Sequence, residues 1–441
     1  ESPLKNNYME RYSFATNVNS KISKVFSVGV TYRFAYTNTL DNTRGDMGIF
    51  SAPPWQPVYD PNGPDGFAPA VAMTFTPNPA YNPTLIESGP AFNSSSSMLW
   101  GPETRFNPLG IAAFSDTRFM LIRNLGSAFF QVEPIQGLRF KGTFSGDWYY
   151  NRRRSWTDHR GIVFSQTPGN PFDGQDGTSV GTYGERYSQN YNLVKEFSIN
   201  YVKAFGDHNV DVLLNAMDQS YGFVFTQAGT SQVDSRLPSV RNVSGPNQFT
   251  NVQSFREPAA LQGYLGRVSY RYRDKYYVDA TVRRDGSARF APGFRWGTFP
   301  SVAVAWRLSS ESFFQNIPFV NDLKLRAGYG SLGNQETGNF LFLSRVLTSS
   351  DYAFGSGNGN AVGNVQLGAA LPDFPVRDLT WEISRTTNVG IDGIAWNNRL
   401  NFTIEYYNRL TSGILQQVPL PAAAGIQNQP VLNVASVRNS G

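Results

Sequence analysis

A glycine-rich run about three quarters of the way along the chain has the spacing with which many proteins bind a dinucleotide. The run extends from Gly328 to Gly333 and reads Gly-Tyr-Gly-Ser-Leu-Gly. That chemistry needs a helix immediately after the run, because the helix N-terminus binds the pyrophosphate within a parallel βαβ unit. Residues 334–339 lack the apolar periodicity of a helix. The run therefore predicts a strand that thins and bends into a loop, and no nucleotide site.

Catalytic or metal chemistry would have to rest on two histidines, His159 and His208, which are too few for a histidine metal cluster. A hydrolase would also need a serine that uses one of them as its base. Ser155 and Ser165 lie near His159 in sequence, but nothing marks either one as a nucleophile. His208 follows Asp207 in an expected turn and is predicted to be solvated. We therefore predict no catalytic residue, no metal site and no cofactor.

Calcium is the one alternative that stays open. Asp60, Asn62 and Asp65 in one link, and Asp173 and Asp176 in another, carry oxygen atoms that could bind the ion. Their spacing does not follow the EF-hand loop, and runs of proline, glycine and aspartate usually form plain turns.

Aromatic side chains in the long segment 38–116 are the better candidates for binding. Strand alternation does not demand aromatic residues there, and exposed rings beside a polar lumen can stack on sugars or anchor a partner protein. The alternative is that the rings pack the loop onto itself, and the sequence favours neither interpretation. The four candidate substrate- or lid-binding residues are Trp55, Tyr59, Phe67 and Trp100.

Strands must position these residues, and each strand has one apolar face and one polar or charged face. From Phe26 to Tyr36 every even residue is large and apolar or aromatic and every odd one is small or polar, a period of two residues. The segment from Leu138 to Tyr150 repeats the pattern and places charge on its second face, which could not be a protein core. We therefore predict an all-β fold, a transmembrane antiparallel β-barrel with an apolar outside and a polar lumen. In the first of these strands the residues predicted to face lipid are Phe26, Val28, Val30, Tyr32 and Phe34, and those predicted to face the lumen are Ser27, Thr31 and Arg33.

Composition agrees with that fold and excludes other classes. The aromatic share of 14% suits lipid-facing strands and interfacial girdles. No run of about 18 apolar residues occurs, so an ordinary transmembrane helix is excluded. The net charge of +5 is spread through the strands without a basic stripe, so nucleic acid is not an expected partner. The first residues do not have the pattern of a signal peptide.

About twelve strands are predicted within one partial barrel that covers residues 1–441. Tight turns alternate with long links near 38–116, 152–185, 222–260 and 331–380, which predicts periplasmic turns and extracellular loops. The segment from Val431 onward is interpreted as the approach to a further strand. The predicted strands are Glu10–Ile22, Val25–Thr37, Thr117–Val132, Leu138–Asn151, Arg186–Lys203, Asn209–Tyr221, Leu261–Tyr272, Tyr276–Arg284, Ser301–Leu308, Leu323–Gly330, Trp381–Asp392 and Arg399–Leu410.

Several stretches resemble one family in order and spacing. The segment from Tyr276 to Phe290, followed by 295–301, is similar to a characteristic stretch of the SusC/RagA class of TonB-dependent outer-membrane transporters. The similarity continues through Leu323–Gly330 with Gly333-Asn334-Gln335, Leu379–Glu382 with Asn388–Asp392, Arg399–Asn408 and Asn433–Asn439. Ala288 stands where the family more often has a serine.

The resemblance implies a bacterial outer-membrane barrel of 22 strands, closed by a plug domain, covered by a SusD-like lipoprotein and energised by the TonB complex. The plug, the TonB-contacting segment and the terminal strands are expected to be absent from this chain, which would be the central barrel section. The expected function is TonB-dependent uptake of oligosaccharides or peptides, without enzymatic activity. A passive porin or adhesin barrel is the first alternative, and an outer-membrane hydrolase is the second.

Overall fold

Strands dominate the part of the chain for which structure can be given. A computed structural model describes residues 7–40, 58–61, 66, 71–72, 104–105, 109, 113, 115–157, 181–233, 249–314, 317, 319–344, 346–353, 365–370, 372–421 and 428–441. The strands are β1 (Tyr8–Lys21), β2 (Phe26–Leu40), β3 (Val71–Ala72), β4 (Thr104–Arg105), β5 (Ser115–Ile135), β6 (Leu138–Thr157), β7 (Gly181–Phe205), β8 (His208–Val233), β9 (Phe249–Tyr272), β10 (Tyr276–Ser287), β11 (Trp296–Arg307), β12 (Val320–Asn334), β13 (Leu347–Ala353), β14 (Val365–Ala370), β15 (Glu382–Ala395), β16 (Leu400–Gln417) and β17 (Val431–Ser440). Among the described residues, no helix has the length and apolar character needed to cross a membrane.

Thirteen of these strands form one continuous antiparallel sheet in which each strand pairs with the next one along the chain. Its order is β1-β2-β5-β6-β7-β8-β9-β10-β11-β12-β15-β16-β17. The remaining strands make two small two-stranded sheets, β3 with β4 and β13 with β14. The all-β antiparallel fold predicted from the alternation is confirmed, because such an up-and-down meander is the sheet of a transmembrane barrel.

Each of the twelve predicted strands corresponds to a strand of this sheet, but two expectations were wrong. The segment from Val431 is itself the thirteenth strand, paired with β16. The strands also continue far into the predicted loops, since β8 reaches Val233 and β9 begins at Phe249. Strand portions outside a membrane meet water on both faces, so they lack the alternation on which the predicted boundaries depended.

The alternation of β5 is poor, because Leu121 and Ile122, and likewise Phe129 and Phe130, are adjacent, yet the register shows no bulge between Leu121 and Phe130. The reason is that apolar residues on the inner face interrupt the pattern. Phe129 lies there, with its ring 4.7 Å from the Lys141 ammonium. A Cβ atom at Gly29 would lie 2.2 Å from the same ring. Gly29 thus makes room for Phe129, and the strand stays regular.

Two aromatic girdles mark the limits of the apolar face. At the short-turn end Tyr276 stacks on Tyr272 and on Trp306, with ring centroids 6.3 and 6.2 Å apart. At the other end Trp296 stacks on Tyr264 at 6.0 Å. Trp306 and Trp296 lie ten residues apart on β11, about 33 Å along the strand and about 25 Å along the membrane normal at a typical tilt. That height matches the apolar band of a transmembrane barrel.

The girdle at the short-turn end lies around the turn at Arg273. Tyr277 is not part of it, since adjacent residues of a strand point to opposite faces. Its hydroxyl donates to the Asp274 carbonyl at 2.8 Å, and the Lys324 ammonium lies 5.3 Å from its ring.

The link between β11 and β12 contains two short 3-10 turns, at 308–310 and 312–314. Glu311 lies between them and accepts hydrogen bonds from the Tyr276 hydroxyl at 2.8 Å, the Lys275 ammonium at 3.0 Å and the Trp306 indole at 3.1 Å. One carboxylate thus ties this link to the aromatic girdle.

Acid should weaken this connection. The hydrogen bond from Tyr276, then those from Lys275 and Trp306, lower the pKa of Glu311 from its ordinary value of 4.5. A lowered folded pKa gives stability that is present above the ordinary value and is lost as the pH falls through the folded value. We expect Glu311→Gln to lower the denaturation midpoint at neutral pH, with the difference from wild type shrinking in acid. A difference that stays constant with pH would contradict this role.

Candidate functional site

The inner face of the sheet carries a ladder of ion pairs and hydrogen bonds that runs across most of its strands. Because paired residues of neighbouring strands share a face, the register groups these residues together. Arg33 lies opposite Leu125, and Leu125 lies opposite Asp147, so Arg33 belongs to the face that the alternation predicted to be polar. Contacts of the ladder include Arg123–Asp147 at 2.6 Å, Asn215–Glu196 at 2.8 Å, Arg283–Asp285 at 2.7 Å and Arg326–Glu405 at 2.6 Å.

Arg326 is the branching point of this ladder. It donates to Asp392 at 3.2 Å and to Glu405 at 2.6 Å, and Glu405 also accepts a hydrogen bond from Asn388 at 3.1 Å. A Cβ atom at Gly390 would lie 2.9 Å from the guanidinium carbon. Only glycine leaves room for Arg326 to lie across β15 in this way. A charged network of this kind suits a face that lines water, because buried charges in an apolar layer would be costly.

His208 is not simply solvated, which corrects the sequence-based expectation. Its ring stacks on Phe205 with centroids 5.2 Å apart, and its Nδ1 lies 2.7 Å from the Tyr270 hydroxyl. Both partners belong to the short-turn end of the sheet. His208 is therefore part of an interfacial aromatic cluster, where a ring with one polar edge fits well.

A buried cluster holds the opposite end, the mouth, together. It consists of Phe290, Phe299, Val376, Leu379 and Trp381. The rings of Phe299 and Trp381 are 5.3 Å apart, and the Trp381 indole donates to the Arg295 carbonyl at 2.8 Å. These contacts fasten the link after β10 to the segment before β15. Residues 285–300 are thus held by a core that they share with the segment before β15.

A cleft of about 770 Å³ opens beside this cluster. Three segments distant in sequence line it, namely β9, residues 338–343 and residues 373–376, together with the link before β17. Phe340 and Phe374 present exposed rings there, and Phe340 has a left-handed backbone with φ 60°. The Asn339 amide donates to Glu257 at 2.7 Å and fixes the loop to β9. Exposed rings beside charged groups are suited to binding a polar polymer or a protein surface.

A second cavity, of about 600 Å³, lies on the inner face directly below the cluster. Its lining includes Thr281, Arg283, Asp285 and Trp381. Asp285 is buried and accepts a hydrogen bond from Arg283 through one oxygen, while its Oδ1 has no hydrogen-bond partner among the described residues. The mouth thus offers a surface cleft and an inner cavity on two sides of one core.

Most of the residues predicted to bind lie outside the described part of the chain. Tyr59 is described, and its side chain is 64% exposed. Trp55, Phe67 and Trp100, and His159 with the calcium candidates Asn62, Asp65, Asp173 and Asp176, belong to residues that the structure does not describe. Within the described ranges no group of three or more His, Cys, Asp or Glu side chains could hold a metal ion.

The cleft residues Phe340 and Phe374 were missed by the sequence analysis. Their only signal was their place in the long link 331–380, and no periodicity selects them. Gly328 to Gly333 lies inside β12, which continues to Asn334 and so extends beyond the predicted end of the strand at Gly330.

Comparison with known proteins places these features in a wider context. A family described as TonB dependent receptor-like, beta-barrel matches residues 80–441. TonB-dependent receptor P26 of Formosa agariphila is 24% identical over 100% of this chain and 40% of its own length. TonB-dependent receptor SusC of Bacteroides thetaiotaomicron is 25% identical over 94% of this chain and 38% of its own length.

A solved structure shares the fold. The structure of the RagAB peptide transporter superposes with a TM-score of 0.73 at 22% identity, covering 99% of this chain and 44% of that one. This chain therefore spans about 40% of the length of the curated relatives named above and 44% of the matched structure.

Proposed function

Because this chain belongs to the TonB-dependent receptor β-barrel family, we propose that it forms the wall and the mouth of a nutrient importer that TonB drives. The protein is an outer-membrane barrel protein of the SusC-like type, and its family is not one of enzymes. The hydrolase alternative is therefore dropped. The inner ladder centred on Arg326 is the observation that carries the proposal. It gives the inner face of the sheet a polar surface along which a hydrophilic nutrient can pass.

We propose oligosaccharides or peptides as the nutrients and a SusD-like lipoprotein as the lid. Peptides are favoured by the likeness to the RagAB peptide transporter, and glycans remain the alternative from the resemblance to SusC. The long connections would face the cell exterior and the short turns the periplasm, as in other outer-membrane barrels. The cleft with Phe340 and Phe374 would then lie where a lid or a captured nutrient arrives.

Uptake measurements test this function. Cells with the gene deleted, and cells with it restored, would be given labelled oligosaccharide pools and labelled peptide pools, with and without functional TonB. We expect restored uptake of one pool, and only when TonB works. Uptake that persists without TonB would indicate the passive porin, and unchanged uptake in all strains would contradict import.

Rings at the mouth should matter for the lid. Replacing Trp55, Tyr59 and Trp100 together by alanine, or Phe340 and Phe374 together, should weaken uptake and copurification with the lipoprotein, because exposed aromatic rings dominate such contacts. Phe319→Ala is the control, since its exposed ring lies at the short-turn end. If these variants copurify with the lipoprotein as strongly as the control does, the rings do not contact the lid and instead pack the loops.

A further inference from the structure

Two arginines face each other on the inner side of the wall, beyond the apolar band. Arg153 on β6 lies directly opposite Arg186 on β7. Like charges at directly opposed positions of an antiparallel pair are destabilising. Such an arrangement persists in a fold when something of opposite charge compensates it.

The protein supplies no such charge in the part that the structure describes. The Arg153 guanidinium lies over the Phe119 ring at 5.4 Å, and that of Arg186 over the Phe225 ring at 4.4 Å. Neither arginine forms a hydrogen bond or an ion pair with a described residue. Gln227 lies opposite Arg186 in the same row, and from β5 to β9 the described residues of both neighbouring inner-face rows are uncharged, among them Ser155 and Ser188.

Among the described residues, the carboxylate next to Arg186 in the chain is that of Glu185, and it is engaged on the other face. Glu185 accepts a hydrogen bond from Arg152 at 2.9 Å and from the hydroxyls of Tyr183 and Tyr187. It also lies opposite Arg154 in the register. Since strand neighbours point to opposite sides, Glu185 cannot neutralise the inward pair.

A small cavity of about 230 Å³ lies beside the two arginines. Ser155, Gly184, Gln227 and Gly229 belong to its inner-face lining, and Glu185 and Ala228, whose side chains belong to the other face, also border it. A ring stacked on the flat face of a guanidinium does not use the N–H groups in its plane. The inner-face side chains of the cavity therefore supply donors from two guanidinium groups, a hydroxyl and an amide, a set that matches an oxyanion.

We propose that this cavity binds a carboxylate or sulfate group of the incoming nutrient, so that the substrates of this protein are anionic. The inference rests on the proposed function and adds the substrate class. Arg186 lies nine residues beyond Lys195 on β7, and Lys195 is connected through the strand register to Trp296 of the girdle. That distance is about 30 Å along the strand. The site would therefore lie well outside the membrane, where it would contact the nutrient before the nutrient enters the membrane-spanning part of the barrel.

Binding to the purified protein tests the site separately from transport. The probes are trigalacturonate with its neutral counterpart trigalactose, and a Glu-Glu-Ala-Gly peptide with its Gln-Gln-Ala-Gly counterpart. We expect one anionic probe to bind more tightly than its neutral counterpart, and inorganic sulfate to compete with it. The pair that shows the preference identifies the source as glycan or peptide.

The double variant Arg153→Gln, Arg186→Gln should weaken binding of that anionic probe roughly tenfold or more, the scale of charge-assisted hydrogen bonds, and leave the neutral probe unchanged. Arg154→Gln is the matched control, because it removes a charge from the adjacent residue on the opposite face. Heat-modified gel mobility checks that each variant assembles. No anionic preference in the wild type, or a preference that survives the double substitution, would overturn the site. If the anionic probe binds as expected but uptake does not depend on TonB, the proposed function is rejected and the anion site is not.

Discussion

Replacing Val30 with arginine should destabilise the assembled barrel by about 2–4 kcal/mol, the cost of an arginine at the lipid-facing midplane. Val30 is 48% exposed and lies between Val18 and Ala128 in the register, on the face that we assign to lipid. The charge would have to enter hydrocarbon or pull the strand out of place. The free energy of unfolding, measured by denaturant titration of protein folded into lipid bilayers, gives the effect.

Thr31→Arg is the matched control one residue away. Thr31 lies between Asn17 and Ser127 on the polar face, where a guanidinium stays hydrated. This variant should differ little from wild type in its free energy of unfolding. Equal losses in the two variants, or a larger loss for Thr31→Arg, would show that the faces are assigned the wrong way round.

Trp381→Ala should cost about 3–5 kcal/mol, as truncation of a buried large aromatic residue typically does. Its side chain is only 5% exposed and contacts Phe290 and Phe299, with centroids 5.6 and 5.3 Å away. The variant also leaves the Arg295 carbonyl without its indole donor. We expect the mouth to become sensitive to protease and lid copurification to fall.

Trp396→Ala provides the comparison, because that tryptophan is exposed in a short turn. It should leave the protease pattern at the mouth unchanged. A mouth that stays resistant in Trp381→Ala would mean that the buried cluster does not hold the links together.

Most of the sheet could be predicted from the sequence because lipid on one side and water on the other impose a period of two. Where a strand no longer has lipid on one face and water on the other, its sequence does not predict its extent. Val431–Ser440 alternates weakly, so its sequence predicts only the approach to a strand. The sequence likewise predicts loops for the outer halves of β8 and β9. Periodicity reports the solvent on each face rather than the hydrogen-bonded pairing itself.

The sites at the mouth could not be found in this way, since residues distant in sequence form them. Phe340 enters the cleft through a left-handed backbone that no sequence pattern announces. Arg153 and Arg186 lie far apart in the chain, and only the strand register brings them together. By contrast the inward charge of Arg33 and Asp147 followed from alternation alone.

Cysteine accessibility on one strand tests most directly whether this wall separates lipid from a water-filled path. The chain contains no cysteine, so single cysteines can be introduced without background. Thr281 lines the inner cavity of about 600 Å³, and Val282 beside it belongs to the apolar face. In intact cells a water-soluble thiol reagent should label Thr281→Cys and not Val282→Cys, and a transported nutrient should slow the labelling. Labelling of Val282→Cys with protection of Thr281→Cys would contradict a polar path along the inner face.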